Sequence, residues 1–176
     1  MQTLKLIVLF GWLMVFSCAQ KPIVARGNMN WMTLDEVATQ MEKEKRPILI
    51  DLYTDWCGWC KVMDKKTYSN KNVIGYLQQK FYPSKINAET RQNINFNGRL
   101  FGFNTNYKTN DFALYLTQGQ LSYPTTIIIP TDGSGPQAIP GFLSPAEFEL
   151  ILKYFGENNY GKVSFEEFRK SFKSSW

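Results

Sequence analysis

The apolar and polar positions of this chain alternate between strand-like runs and helix-like stripes. The segment from Pro47 to Tyr53 is almost entirely apolar, as expected for a strand buried on both faces of a sheet. The segment from Phe81 to Ala88 has the composition of a second strand, and the helical spacing between the two predicts a right-handed βαβ unit. Turn residues 131–135 join Thr125–Ile129 to Gln137–Phe142 as an antiparallel pair. The pattern therefore predicts a mixed sheet covered by helices.

Residues that cap helices mark where each helix begins. Thr33 and Glu36 form a capping box, and Ser144 forms a second one with Glu147. In the final core helix, Pro145 occupies the first helical position, where its missing N–H is not needed. N-caps are predicted at Thr33, Ser69, Asn110, Ser144 and Ser164.

Asparagine and aromatic residues dominate the segment from Thr90 to Thr109. Within it, Asn97-Gly98 separates Ile94–Phe96 from Arg99–Phe103. This dipeptide indicates a β-hairpin with a type I′ turn, because both turn residues must adopt positive φ. The asparagines are therefore interpreted as turn and loop residues. A short helix, Asp111–Gln118, is predicted to follow.

Length, charge and composition restrict the function classes. A chain of 176 residues is enough for one domain with one core, and its formal net charge of +5 is spread without a basic block, so nothing favours nucleic acid as a partner. The chain has no histidine and three cysteines, whereas a structural zinc site needs four ligands, usually Cys or His. The segment Gly156–Glu167 has the central glycine of a calcium loop but lacks two of its carboxylates, so calcium binding is rejected.

The N-terminal segment has the pattern of a secretory signal. Lys5 precedes an apolar stretch from Leu6 to Phe16, and a small residue follows at Ala19. Residues 1–19 are therefore expected to be removed by cleavage after Ala19. In the alternative, a lipoprotein signal, Cys18 is the acylated first residue of the mature protein and anchors it to a membrane. Both place the mature domain outside the cytoplasm, where a single CxxC pair favours catalysis over a structural bridge.

The sequence Cys57-Gly-Trp-Cys60 carries the chemistry. Cys57 directly follows the first strand, where a helix begins, and the N–H groups and dipole of a helix N-terminus favour a thiolate. Cys60 lies one turn further on and can attack a mixed disulfide formed by Cys57. A structural staple is a poor alternative, since closing so short a loop removes little chain entropy. The pair therefore predicts dithiol–disulfide exchange.

Several segments resemble the thioredoxin family, in the order expected for it. Asp51–Lys61 is similar to the active-site segment, Lys85–Glu89 to the strand that carries a lysine near a buried aspartate, and Tyr123–Thr125 to the cis-proline loop. Gly141 resembles the glycine after the last hairpin. The resemblance covers residues 30–155 and is nearest to the exported branch with a CGWC-type centre. It implies an α/β, thioredoxin-like fold, in which helices flank a central mixed β-sheet.

The chain departs from the family pattern in three ways. Trp59 replaces the usual proline between the cysteines. An insertion at 90–120, which bears the predicted hairpin, precedes the cis-proline loop and is interpreted either as a cover for a sheet edge or as a wall beside the active site. A helical extension, 157–176, follows the thioredoxin-like domain 20–156, and its phenylalanines are expected to pack on that domain.

The resemblance also implies the catalytic roles. Cys57 is the nucleophile, Cys60 is the resolving cysteine, and the two form the redox-active disulfide. Asp51 is the buried acid that exchanges a proton with Cys60, and burial should raise its pKa toward the working pH. Lys85 is expected to tune Asp51. No metal or organic cofactor is implied.

A second group of residues is expected to contact the substrate. Trp56 and Trp59 flank the reactive thiol and offer an apolar contact face. By resemblance, Tyr123 and Pro124 form the substrate loop. A cis bond between them would turn the backbone of Tyr123 toward Cys57 and leave a strand-like edge for a substrate peptide.

We therefore expect a monomeric thiol–disulfide oxidoreductase outside the cytoplasm, which reduces disulfides of exported proteins and receives electrons from a membrane partner. The reducing direction is favoured because Gly58 and Trp59 supply no positive charge to stabilise a thiolate, and an ionised Asp51 would disfavour it further. Two alternatives stay open. One is a disulfide oxidase or isomerase, and the other is a non-catalytic thioredoxin-like binding or assembly module.

Overall fold

The structure, a computed structural model, describes residues 28–176. The signal segment predicted for residues 1–19, with Cys18, lies outside the described residues. Between residues 28 and 176, no helix combines the length and the apolar character that a membrane crossing requires.

The strands are β1 (Ile48–Tyr53), β2 (Tyr82–Asn87), β3 (Ile94–Phe96), β4 (Arg99–Phe101), β5 (Phe103–Asn104), β6 (Thr109–Asn110), β7 (Thr125–Ile129) and β8 (Gln137–Pro140). The helices are α1 (Leu34–Lys43), α2 (Gly58–Lys66), α3 (Lys71–Lys80), α4 (Asp111–Thr117), α5 (Pro145–Gly156) and α6 (Phe165–Ser171).

Four strands form the central sheet, in the order β2-β1-β7-β8. Strand β1 is parallel to β2, and β7 is antiparallel to both β1 and β8. Because β1 lies in the interior of the sheet and is covered on both faces, its nearly continuous apolar run is what that position requires. The predicted α/β fold with a central mixed sheet is confirmed.

The core consists of two apolar clusters, one on each face of the sheet. On one face, Leu49 packs with Leu77 of α3 and Phe148 of α5. On the other, Ile50 packs with Phe112 of α4. Successive residues of β1 alternate between these clusters, as the period of a strand dictates. Because of this alternation, Asp51, the one acidic residue of β1, lies on the same face of the sheet as Leu49.

The helix caps follow the sequence with one exception. The capping boxes at the starts of α1 and α5, around Thr33 and Ser144, are both present. The predicted cap at Ser69 is wrong, because α3 begins one residue later. Asn70 caps it, and its side-chain oxygen accepts hydrogen bonds from the N–H groups of Asn72 and Val73. The hydroxyl of Ser69 instead donates to the carbonyl of Lys65, 2.6 Å away, at the end of the preceding helix.

The insertion contains two hairpins. The first pairs β3 with β4, and its turn residues Asn97 and Gly98 have φ of 51° and 75°, as the type I′ prediction requires. Its second strand ends at Phe101 and not at Phe103 as predicted. Phe103 belongs to a second hairpin, which pairs β5 with β6 and which the sequence did not indicate. The chain leaves the first hairpin at Gly102, whose carbonyl accepts from the N–H of Asp111 instead of a strand partner.

The C-terminal extension returns to the surface of α5. Ser164 caps α6 as predicted. The ring of Phe168 packs on Tyr154 with 5.3 Å between the centroids. Beyond α6, Ser175 and Trp176 reach back to the domain, where Trp176 meets the ring of Tyr76. The extension is therefore packed on the thioredoxin-like fold along its length.

Candidate active site

The two cysteines of the CxxC motif form a disulfide at the start of α2. Their sulfur atoms are 2.08 Å apart, and both residues are buried. Cys57 is the N-cap of α2, and its sulfur accepts a hydrogen bond from the backbone N–H of Cys60 at 3.0 Å. A tight turn after β1, closed by the N–H of Cys57 on the carbonyl of Thr54, brings the motif to the edge of the sheet. The predicted position of Cys57 at a helix N-terminus is thus where the structure has it.

Asp51 lies in the middle of β1 with 2% of its surface exposed. In the sheet it stands opposite Lys85 of β2 and Thr126 of β7. The ammonium nitrogen of Lys85 is 2.8 Å from Oδ2 of Asp51. Burial raises the pKa of Asp51 to about 6, and the charge of Lys85 offsets only part of that effect. The carboxyl group therefore changes protonation close to neutral pH.

Lys85 is shared between two carboxylates. Besides Asp51, its ammonium group pairs with Asp64 of α2, a half-exposed residue that the sequence analysis did not single out. Burial lowers the pKa of Lys85, but the two carboxylates outweigh that effect and raise it. Rings of Tyr53 and Trp31 also face the ammonium group, with centroids at 4.9 and 5.4 Å. Lys85 therefore stays charged, but it does not belong to Asp51 alone.

Two buried hydroxyl groups, those of Thr126 and Tyr68, lie on the Asp51 side of the sheet, and neither donates to the Asp51 carboxylate within residues 28–176. Burial raises the pKa of Tyr68 well above its ordinary value; the nearby Asp51 carboxylate raises it further, whereas the Thr126 hydroxyl lowers it. The environment of Asp51 thus provides one ion pair and little other support for its charged form.

The surface around the disulfide is aromatic. Trp56 and Trp59 are 66% and 63% exposed, which is unusual for large apolar side chains. The ring of Trp56 meets Tyr123 edge-on at 5.8 Å, and Trp59 lies against Phe142 at 5.7 Å. We call Trp56, Trp59, Tyr123 and Phe142 the aromatic rim. The peptide bond between Tyr123 and Pro124 is cis, in agreement with the resemblance.

One polar contact fixes the orientation of the rim. The indole N–H of Trp56 donates to the carboxylate of Glu89, at 2.9 Å. Glu89 lies two residues beyond the end of β2, and the sequence did not indicate a role for it. Its position, four residues after Lys85 and beyond the end of β2, could have indicated it, since the carboxyl ends of parallel strands meet at one edge of a sheet.

The sequence-predicted residues fall into two groups in space. Asp51 and Lys85 form a polar pair in the sheet, and the rim residues with Pro124 surround the surface at the disulfide. The structure adds Asp64, Glu89 and Phe142 to them. Each addition depends on a contact between segments far apart in sequence, which no local motif indicates.

The comparisons with known proteins agree with this geometry. A model of the thioredoxin-like domain matches residues 34–156. The thioredoxin of Borreliella burgdorferi is 31% identical over 114 residues, which cover 62% of this chain and 74% of that protein. The thiol:disulfide interchange protein DsbD of Escherichia coli K12 is 29% identical over 126 residues. Those residues cover 69% of this chain but only 19% of DsbD, so the chain spans about a fifth of that relative.

Solved structures share the fold at lower sequence identity. A DsbH oxidoreductase is 16% identical and superimposes with a TM-score of 0.55, covering 78% of this chain and 90% of that one. A thioredoxin from Thermus thermophilus is 15% identical with a TM-score of 0.52, covering 78% of this chain and all of that one. The family match spans both cysteines, the cis-proline loop and every strand of the central sheet. The chain therefore belongs to the family of thioredoxin-like domains.

Proposed function

We propose that this protein is a thiol–disulfide oxidoreductase that acts outside the cytoplasm and reduces disulfides of exported proteins. The observation that carries the proposal is the disulfide between Cys57, at the N-cap of α2, and Cys60, one turn further along the same helix. A helix N-terminus stabilises the thiolate that attacks, and the second thiol is held where it can complete the exchange.

The reaction is balanced by the two cysteines alone. In the reduced protein, the Cys57 thiolate attacks one sulfur of the substrate disulfide, the substrate S–S bond breaks, and the leaving thiolate takes up a proton. Cys60 then loses its proton and attacks the sulfur of Cys57, which releases the second substrate thiol. Two electrons pass to the substrate, and the protein ends with the Cys57–Cys60 disulfide.

Asp51 is the proton acceptor for Cys60 in the second step, and Lys85 tunes it. A general base works best when its pKa lies near the operating pH, and burial raises the pKa of Asp51 to about 6. Trp56, Trp59, Tyr123 and Pro124 bind the substrate: the two tryptophans flank Cys57 in sequence and are largely exposed, and Trp56 contacts Tyr123, which precedes the cis Pro124.

The direction of the reaction follows from how weakly the thiolate is stabilised. Dithiol centres of this kind span potentials of about −270 to −120 mV, and the oxidising end requires a strongly stabilised thiolate. Gly58 and Trp59 add no positive charge between the cysteines. When Asp51 is ionised, its charge opposes a thiolate nearby. Both effects favour the reductase over the oxidase and isomerase alternatives.

The location and the electron source are part of the proposal. The signal-like pattern of residues 1–19 supports export, with membrane attachment through Cys18 as the alternative to cleavage. Two of the relatives above are named thiol:disulfide interchange protein and oxidoreductase. A reductase outside the cytoplasm needs a source of electrons, and we propose a membrane protein as the donor. We further propose that the protein acts as a monomer.

Paired cysteine variants test the proposal. With a small disulfide such as 2-hydroxyethyl disulfide, Cys57→Ser should abolish exchange. With a protein substrate, Cys60→Ser should instead accumulate a mixed disulfide through Cys57, visible by mass spectrometry. Preferential alkylation of Cys60 by iodoacetamide in the reduced wild type would reverse the two roles. A reduction potential more oxidising than about −180 mV would contradict the reducing direction.

The aromatic rim favours one second candidate, a non-catalytic binding module. Two exposed tryptophans beside each other are typical of protein interaction sites. Two results together would support the module and not the enzyme. The variant with both cysteines replaced by serine would capture partners with the affinity of the wild type, and the wild type would turn over no disulfide.

A further inference from the structure

A groove of about 460 Å³ lies beside the aromatic rim, on the side of the insertion. We call it the insertion groove. Hairpin β5–β6 forms one wall and the segment after β2 forms the other. Its lining residues are Glu89, Arg91, Phe103, Thr105 and Lys108.

The groove is continuous with the rim. Glu89, which lines the groove, holds the indole of Trp56 at 2.9 Å. Thr109, the neighbour of Lys108, lies close to the phenol of Tyr123. Burial raises the pKa of Tyr123, a hydrogen bond with the Thr109 hydroxyl lowers it, and the Glu89 carboxylate raises it. The groove therefore adjoins the part of the rim that Trp56 and Tyr123 form.

The hairpin is fixed in this position by the chain on either side of it. The hydroxyl of Thr109 and the backbone N–H of Asn110 both donate to the carbonyl of Ala88, at 2.7 Å each. The side-chain amide of Asn110 also donates to the carbonyls of Thr90 and Gln92. The wall of the groove is thus attached to the end of β2, beside the disulfide.

The charge of the groove comes from the insertion. Residues 90–110 contain Arg91, Arg99 and Lys108 and no Asp or Glu. Arg91 and Lys108 are exposed, and neither pairs with a carboxylate in the part of the chain that the structure describes. The guanidinium of Arg91 lies over the ring of Phe103, with its central carbon 4.5 Å from the ring centroid.

Three acidic residues lie near the groove, and each carboxylate accepts a hydrogen bond from a neutral N–H group; that of Asp111 accepts from the side-chain amide of Asn104 at 2.9 Å. The carboxylate of Glu89 accepts from Trp56, and that of Asp55 accepts from the side-chain amide of Asn87 at 2.9 Å. Both lie on the Trp56 side.

We infer that the insertion groove binds an acidic segment of the polypeptide substrate, close in sequence to the cysteine that reacts with Cys57. The inference rests on the proposed function, and it names the substrate class. A carboxylate in the groove makes charge-assisted hydrogen bonds to the guanidinium of Arg91 and the ammonium of Lys108. The ring of Phe103 accommodates the aliphatic part of the same segment.

Matched peptides test the inference. Two peptides share one intramolecular disulfide and differ only in the residues beside it, two aspartates in one and two asparagines in the other. The reduced wild type should reduce the aspartate peptide with a second-order rate constant about fivefold larger at low salt, equivalent to about 1 kcal/mol for two partly exposed ion pairs. The preference should shrink as ionic strength rises.

Two variants locate the effect. Arg91→Gln with Lys108→Asn should remove the preference while reduction of the neutral 2-hydroxyethyl disulfide stays unchanged. Asparagine is chosen because Lys108 has a φ of 52°, a conformation that asparagine tolerates. Arg99→Gln is the matched control, since Arg99 lies over Phe101, outside the groove, and should keep the preference.

A binding measurement keeps this inference separate from the proposed function. A cysteine-free acidic peptide added to the oxidised protein should shift the NMR amide signals of Arg91, Phe103 and Lys108, and the double variant should lose these shifts. Equal rates for both peptides, or shifts outside the groove, would overturn the inference even if the protein is a reductase. Groove shifts without turnover of any disulfide would uphold the groove and contradict the proposed function.

Discussion

Asp51 and Glu149 are both carboxylates buried in the same domain, with 2% and 0% of their surface exposed, but their pKa values move in opposite directions. Asp51 lies in β1 beside the redox centre, and burial raises its pKa to about 6. Glu149 lies in α5, beneath the C-terminal extension. Burial raises its pKa too, but hydrogen bonds outweigh that effect and lower it to about 2.

The difference lies in the number of donors. Asp51 has one, the ammonium group of Lys85, which it shares with Asp64. Glu149 has several: Lys153 at 2.8 Å, the hydroxyl of Ser174 at 2.5 Å, and both the N–H and hydroxyl of Ser175. Burial by itself therefore does not determine whether a carboxylate is charged. The several hydrogen-bond donors around Glu149 keep it ionised, and through them it binds the C-terminal tail. Asp51 has a single donor, so its carboxyl group can gain and lose a proton.

Removing the charge of Glu149 should have the largest effect. Glu149→Gln should lower the free energy of unfolding at pH 7 by about 3 kcal/mol, because breaking a buried, paired charge leaves its donors unsatisfied. Urea denaturation measures it. The control is Glu166→Gln, which removes an exposed pair with Arg169 and should cost less than about 1 kcal/mol. Equal losses for the two variants would contradict the distinction between a buried anchor and a surface pair.

The second prediction concerns Asp51→Asn, which should stabilise the protein at pH 7 by about 2 to 3 kcal/mol, since each unit of pKa shift corresponds to about 1.4 kcal/mol. Because the folded state raises the pKa of Asp51 from 3.8 to about 6, the folded protein binds more protons between those values. Wild-type stability should therefore fall as pH rises from about 4 to about 6. Glu149 acts oppositely: its contribution is complete above its ordinary pKa of 4.5 and is lost as pH falls through about 2.

Denaturation at several pH values separates these contributions. The fall between pH 4 and 6 should be absent in Asp51→Asn, while the loss in strong acid should persist. The same variant should slow release of substrate from the mixed disulfide, because the role proposed for Asp51 is to accept the proton of Cys60. A release rate that matches the wild type from pH 6 to 9 would rule out that role.

The smallest expected effect comes from a variant that leaves Lys85 to Asp51 alone and so strengthens the one donor that Asp51 has. Asp64→Asn removes the carboxylate that competes for Lys85, so the pKa of Asp51 should fall, by less than about one unit. The carboxyl carbon signal of Asp51 in an NMR titration of the oxidised protein measures it. Asp35→Asn, an exposed change in α1, is the control. An unchanged or higher pKa would mean that Asp64 does not draw Lys85 away.

The comparison also explains what the sequence could predict. Asp51 and Cys57 were identified because their signals are local: an acid in an apolar strand, and a cysteine where that strand gives way to a helix. Glu149 was not identified: its one local donor is Lys153, and the donors that distinguish it belong to Ser174 and Ser175, 25 and 26 residues away in a tail without a strong pattern. Asp64 has no local signal in the sequence either, and only its contact with Lys85 of β2 distinguishes it.

The same division applies to the fold. The hairpin at Asn97-Gly98 was predicted because two adjacent residues with positive φ specify the turn. Hairpin β5–β6 was missed because its strands are two residues each and are held by tertiary hydrogen bonds to Ala88. The cap at Ser69 was wrong by one residue, because Ser69 and Asn70 are both good caps and the end of α2 decided between them.

The double attachment at Ala88 makes the insertion an exchangeable module. The chain leaves the central sheet after Ala88 and comes back to the same carbonyl at Asn110, so the segment between them is a closed loop. Lengthening such a loop costs little, since each doubling adds only about 0.6 kcal/mol of closure entropy. The segment can therefore vary in length while the central sheet and the dithiol stay the same, provided that Phe101, which packs in the core against Phe112, is kept. Grafting the 89–110 segment of one relative onto another offers a direct way to transfer substrate preference without redesigning the redox centre.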